Sequence, residues 1–115
     1  MNRKDRRQTA RYDVEIPLTI RRTDRANAPA RMALSSNISA SGLCLATDLP
    51  LKVGAPVEIA MRMPEQVTGK PASEWLCRGQ VVRVEEDELR NEKHCVGVAF
   101  QYYEVIEGAE AYTQN

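Results

Sequence analysis

Apolar and polar residues alternate with a period of two along most of this chain. Val14, Ile16, Leu18 and Ile20 are interleaved with Glu15, Pro17, Thr19 and Arg21. This is the pattern of a strand with one face in a core and the other in water. Pro17 has no N–H, so its position is expected at an edge or a bulge. A second strand is expected from about Arg31 to Ile38. Gly42 breaks it, and Leu43 and Leu45 open a third that ends before Pro50. Val57, Ile59, Met61 and Met63 form the next regular face. Trp75 to Val84 reads as a long strand whose parity slips near Val81-Val82, so a bulge is expected there, with Gly79 as a candidate position. In the last strand Val96, Val98 and Phe100 make one face, and Cys95, Gly97 and Ala99 make a face of small residues. From Tyr102 to Tyr112, the spacing of Tyr102, Ile106 and Ala109 is helical. Gly108 weakens that helix by about 1 kcal/mol relative to alanine. Tyr102 and Tyr103 are expected to pack it onto the rest of the fold, and Trp75 to pack in the core or at a barrel mouth. Six short strands separated by turn signals predict an all-β, closed or nearly closed barrel. Closure hides the edges that an open sheet of this size would expose.

The 115 residues make one domain with a modest core. No apolar run is long enough to span a bilayer, and no apolar stretch follows the basic start as in a signal peptide. A cytoplasmic protein with no membrane insertion is expected. Cys44, Cys77 and Cys95 are widely spaced and form no Cys-x-x-Cys pair, so they are expected to be small buried hydrophobes, and no metal site is expected. Sixteen basic and sixteen acidic side chains cancel, which argues against nucleic acid as a partner. The distribution of charge changes the picture. Residues 1–11 carry Arg3, Lys4, Arg6, Arg7 and Arg11 against Asp5 alone, with almost no apolar side chains. Residues 1–12 therefore read as a flexible basic arm, ahead of a barrel and C-terminal helix over 13–115. A basic arm on a neutral body suits a small anionic ligand.

Two short segments carry the candidate chemistry. Arg7 and Arg11 stand four apart at the mouth of the first strand, and Asn37-Ile38-Ser39-Ala40-Ser41-Gly42 forms a polar turn between the second and third. Asn, Ser and Gly are also the commonest residues of ordinary turns. In this order, within a small all-β domain, the two segments resemble the paired signature of the PilZ family, Arg-x-x-x-Arg followed by Asp/Asn-x-Ser-x-x-Gly. Arg78 to Arg83 and Cys95 to Phe100 also look like that family's last two strands. The resemblance spans nearly the whole chain. It implies a six-stranded antiparallel barrel with a short C-terminal α-helix, and a receptor for cyclic diguanylate (c-di-GMP) in place of an enzyme.

The residues suit that ligand. An arginine fork matches phosphate oxygens bidentately, reaches guanine O6 and N7, and stacks on purine faces. Asn37 offers an uncharged acceptor for a guanine edge. Ser39 can hold the turn or reach the ligand, and Gly42 permits a positive φ or a close approach of backbone to ligand. Arg6, just before the motif, resembles the extra arginine that accompanies a stacked pair of nucleotides in this family. The expected ligand-binding set is thus Arg6, Arg7, Arg11, Asn37, Ser39 and Gly42. The expected function is a c-di-GMP effector that passes its signal to a protein partner; the alternative is an interaction adaptor that binds no nucleotide. Six aromatics in 115 residues count against an oligonucleotide-binding barrel. A single histidine, His94, leaves little acid–base chemistry for an enzyme and reads as a structural or surface residue.

Overall fold

The computed structural model describes residues 11–87 and 93–106. They form strands β1 (Pro17–Arg22), β2 (Arg31–Ser39), β3 (Gly42–Thr47), β4 (Pro56–Met63), β5 (Ser73–Asp87) and β6 (Lys93–Val105). All neighbouring pairs are antiparallel, and the order β1-β2-β3-β6-β5-β4 closes on itself through β1 and β4. Every described strand therefore pairs with a neighbour on each side over part of its length, and the ends of β5 and β6 that project past β4 and β3 pair with each other. A single helical turn, α1 (Glu65–Thr68), follows Pro64 and ends at Gly69, whose φ of 78° is left-handed. Among the described residues no helix is long and apolar enough to cross a membrane.

The period-two apolar residues fill the barrel. Ile20, Ile38, Leu45, Val57, Ile59, Met63, Val81 and Val96 are almost completely buried. Pro17 is the first residue of β1 and pairs only with Leu34 of β2. It needs neither an edge nor a bulge, because a strand's first residue tolerates the missing N–H. The three cysteines divide. Cys77 lies in the core, whereas Cys44 and Cys95 are half-buried on the outer face, out of phase with the inward Leu45 and Val96.

Two expectations about the last strands need correcting. Tyr102 to Val105 do not start a helix; they continue β6 and pair with Arg78 to Trp75 of the fifteen-residue β5. A strand that long needs a partner along its whole length, and pairing overrides the helical spacing. Tyr103 packs against no helix among the described residues. Its ring stacks on Trp75 at 4.5 Å between centroids, and Trp75 packs against the core from the strand end. The remainder of the expected helix lies outside the described residues, as does the arm up to residue 10. The expected bulge is present at Val82, which is skipped between the pairs Val81–Val98 and Arg83–Gly97. A second irregularity between Arg78 and Gly79 skips Gln101 of β6.

Candidate functional site

The outer face of β2, β3, β6 and β5 carries a row of side chains set by strand pairing. Asn37 lies opposite Cys44, Cys44 opposite Gly97, and Gly97 opposite Arg83. One step along, Ser39 faces Gly42, Gly42 faces Ala99, and Ala99 faces Gln80. Glycine, alanine and cysteine at the centre of these rows leave a depression between the larger residues at its sides. It is an open groove of about 220 Å³, and Arg11, Asn37, Ser39, Ser41, Cys44, Val82 and Arg83 contribute to its wall.

Two bulges turn the side walls outward. On β2, Ser35 faces inward and is almost fully buried, Ser36 is the extra residue, and Ile38 is again in the core. Strict alternation would aim Asn37 at the core along with Ser35; the bulge puts it on the outer face. The bulge at Val82 does the same for Arg83, between inward Val81 and half-buried Val84. Re-aiming a side chain at the cost of one ladder position is a common use of bulges beside binding sites.

Arg11 reaches the groove because the segment before β1 is fastened along β2. Tyr12 and Ile38 exchange backbone hydrogen bonds of 2.8 and 2.9 Å. The buried Ser35 hydroxyl accepts from the Ile16 N–H at 2.9 Å and donates to the Val14 carbonyl at 2.7 Å. The last two residues of the predicted arm are thus already attached to the barrel.

The chemistry of the wall is cationic and polar. Arg11 is exposed and makes no ion pair with a described residue. Arg83 donates from Nη2 to the Cys44 sulfur at 3.2 Å and lies 3.6 Å from a Glu85 carboxylate oxygen. No acidic side chain is among the described residues that line the groove. Two guanidiniums beside a floor of small residues form an anion-accepting surface. Asn37 is half-buried, and its amide bonds to no other described residue. Ser39 is occupied with the turn: its hydroxyl accepts from the Ser41 N–H at 3.2 Å and donates to the Gly42 carbonyl at 3.3 Å. Gly42 does not take a positive φ; the two described glycines that do are Gly54 and Gly69. What Gly42 requires is space, because a Cβ there would run into the Val98 carbonyl of β6.

Of the six residues the sequence motifs select, the structure brings Arg11, Asn37, Ser39 and Gly42 to one groove. Arg6 and Arg7 lie outside the described residues. Arg83 belongs to neither motif but shares the groove. Its signal in the sequence is the parity slip at Val81-Val82, which moves a charged residue out of the core pattern. Among the described residues no cluster of His, Cys, Asp and Glu could hold a metal ion.

Comparison with known proteins agrees with this architecture. A family model described as the PilZ domain matches residues 5–111. The structure of the Bacillus subtilis inhibitor of motility (MotI/DgrA) superposes with a TM-score of 0.66 at 22% identity, covering 97% of this chain and 48% of that one. The chain thus spans about half the length of that protein. The PilZ domain of CeSA from a cellulose-synthesizing bacterium superposes with a TM-score of 0.55 at 14% identity, covering 82% of each chain. No curated protein shows a significant sequence match.

Proposed function

Because the chain belongs to the PilZ domain family, a family of c-di-GMP receptors, we propose that it binds c-di-GMP in the groove across β2, β3, β6 and β5. Arg7 and Arg11 take the phosphates and stack on or fork to a guanine, and Asn37 meets a guanine edge. Ser39 holds the turn, and Gly42 keeps β6 close beneath the floor. The observation that carries this reading is the convergence of Arg11 and Asn37, from two separate sequence motifs, on one groove with no acidic side chain among its described lining residues. The groove alone is smaller than the 300–1,000 Å³ typical of small-molecule sites. In this reading the basic arm supplies the rest of the enclosure as it orders over the ligand. The newly ordered surface then engages a protein partner in the cytoplasm, with motility, exopolysaccharide or biofilm control as the output. Folding on binding lowers net affinity but creates such a surface.

Titration calorimetry with c-di-GMP tests the proposal. A hydrogen bond to a charged group is worth roughly 1.5–3 kcal/mol. Arg7→Ala and Arg11→Ala are therefore each expected to weaken binding at least about tenfold in a folded chain. Wild-type affinity in both variants would reject the site. The same isotherm gives stoichiometry. A stacked pair of nucleotides carries four phosphates, and Arg6 is placed in the sequence to supply extra positive charge. Two nucleotides per chain are expected, falling to one in Arg6→Leu; one per wild-type chain would reject the stacked pair.

A further inference from the structure

Asn37 has two hydrogen-bonding ends, and no described residue fixes which of them faces the groove. Its amide bonds to no other described residue. The nearby hydroxyl of Ser39 is committed to its own turn, and Arg83 donates to the Cys44 sulfur. A carboxylate in this place could only accept. It would match guanine, whose N1–H and N2–H₂ are two donors side by side. It would reject adenine, because one carboxylate oxygen would face the lone pair of N1 or N7. An amide has one acceptor and one donor. It pairs twice with adenine, accepting from N6–H₂ and donating to N7, the common amide–adenine pairing. By turning over or sliding along the edge, it also pairs twice with guanine, accepting from N1–H and donating to O6.

We infer that Asn37 makes its side of the groove permissive for either purine, so that the ligand class extends to a cyclic dinucleotide containing one guanine and one adenine. The inference rests on the proposed c-di-GMP site and deepens it. The other base remains guanine where an arginine reads it, because the guanidinium fork finds paired acceptors at guanine O6 and N7 and none on adenine.

Calorimetry on the full chain with c-di-GMP and with the hybrid guanosine–adenosine cyclic dinucleotide tests it, in wild type and in Asn37→Asp. The wild type is expected to bind the hybrid within about tenfold of c-di-GMP. Asn37→Asp is expected to widen the preference for c-di-GMP by about tenfold or more, as the loss of one bidentate base pairing implies. Thermal melts of both proteins confirm that the variant is folded. A wild type that rejects the hybrid by more than tenfold, or an unchanged preference in Asn37→Asp, overturns the inference while c-di-GMP binding still stands. Failure of the wild type to bind c-di-GMP overturns the proposed function, and the inference with it.

Discussion

Gly42 shows how one residue can serve a motif for a reason the motif does not state. In the sequence it looks like a turn glycine, yet its φ is not positive, and the constraint on it is the β6 backbone pressed against its missing side chain. Gly42→Ala is therefore expected to destabilise the fold itself. Overpacking of this kind costs about 1–3 kcal/mol, which for a domain of this size lowers Tm by about 4 °C per kcal/mol. An unchanged Tm on calorimetric melting would contradict the packing argument. Cys77 provides a second test at this scale. Burial pushes its thiol up to about 12 from an ordinary 9.0. The folded state thus holds a proton that the unfolded state releases between those values, so the contribution to stability is intact below pH 9 and is lost as pH rises toward about 12. Urea unfolding over that window should show wild type losing stability more steeply than Cys77→Ala, and parallel profiles would refute the assignment. Asn37 was singled out in the sequence because the motif names it, and the structure places it on the groove wall. Its outward aim was not legible there, because polar Ser35 occupies an inward position and conceals the slip in parity.

At the scale of elements, the strands were readable wherever a buried face is purely apolar, as in Val57 to Met63 of β4. The bulge of β5 was readable for the same reason: Val81, Val82 and Val84 cannot all lie on one alternating face. Tyr102 to Val105 were misread because the helical spacing of Tyr102 and Ile106 also places them on one face of a strand, and only the length of β5 decides between the two. Nor could local pattern reveal the fastening of the segment before β1. It depends on Ser35, nineteen residues from Ile16 along the chain. Ser35→Ala removes the acceptor of the Ile16 N–H and leaves that donor buried without a partner. The expected cost is about 1–3 kcal/mol, with faster amide exchange at Ile16 and weaker c-di-GMP binding, because Arg11 sits at the end of the fastened segment. Undiminished protection at Ile16 would show that the hydroxyl does not hold this segment in place.

For the whole molecule, the closed barrel is a platform, and the proposed signal lies in what the arm does on top of it. Amide exchange over residues 3–10 is expected to slow on addition of c-di-GMP, while the core strands change little; equal exchange with and without ligand would remove the switch. The sequence motifs lie at opposite ends of that design, one on the arm and one on the platform, which is why the family was easier to read than the groove beside them. Two-dimensional amide NMR during titration with c-di-GMP tests the central claim most directly. Shifts are expected to concentrate at Arg11, Asn37, Ser39, Gly42, Cys44, Arg83 and Gly97, the lateral rows across β2, β3, β6 and β5. Shifts centred instead on the far side of the barrel, around Glu58 and Ala60 of β4, or no shifts at saturating nucleotide, would contradict it.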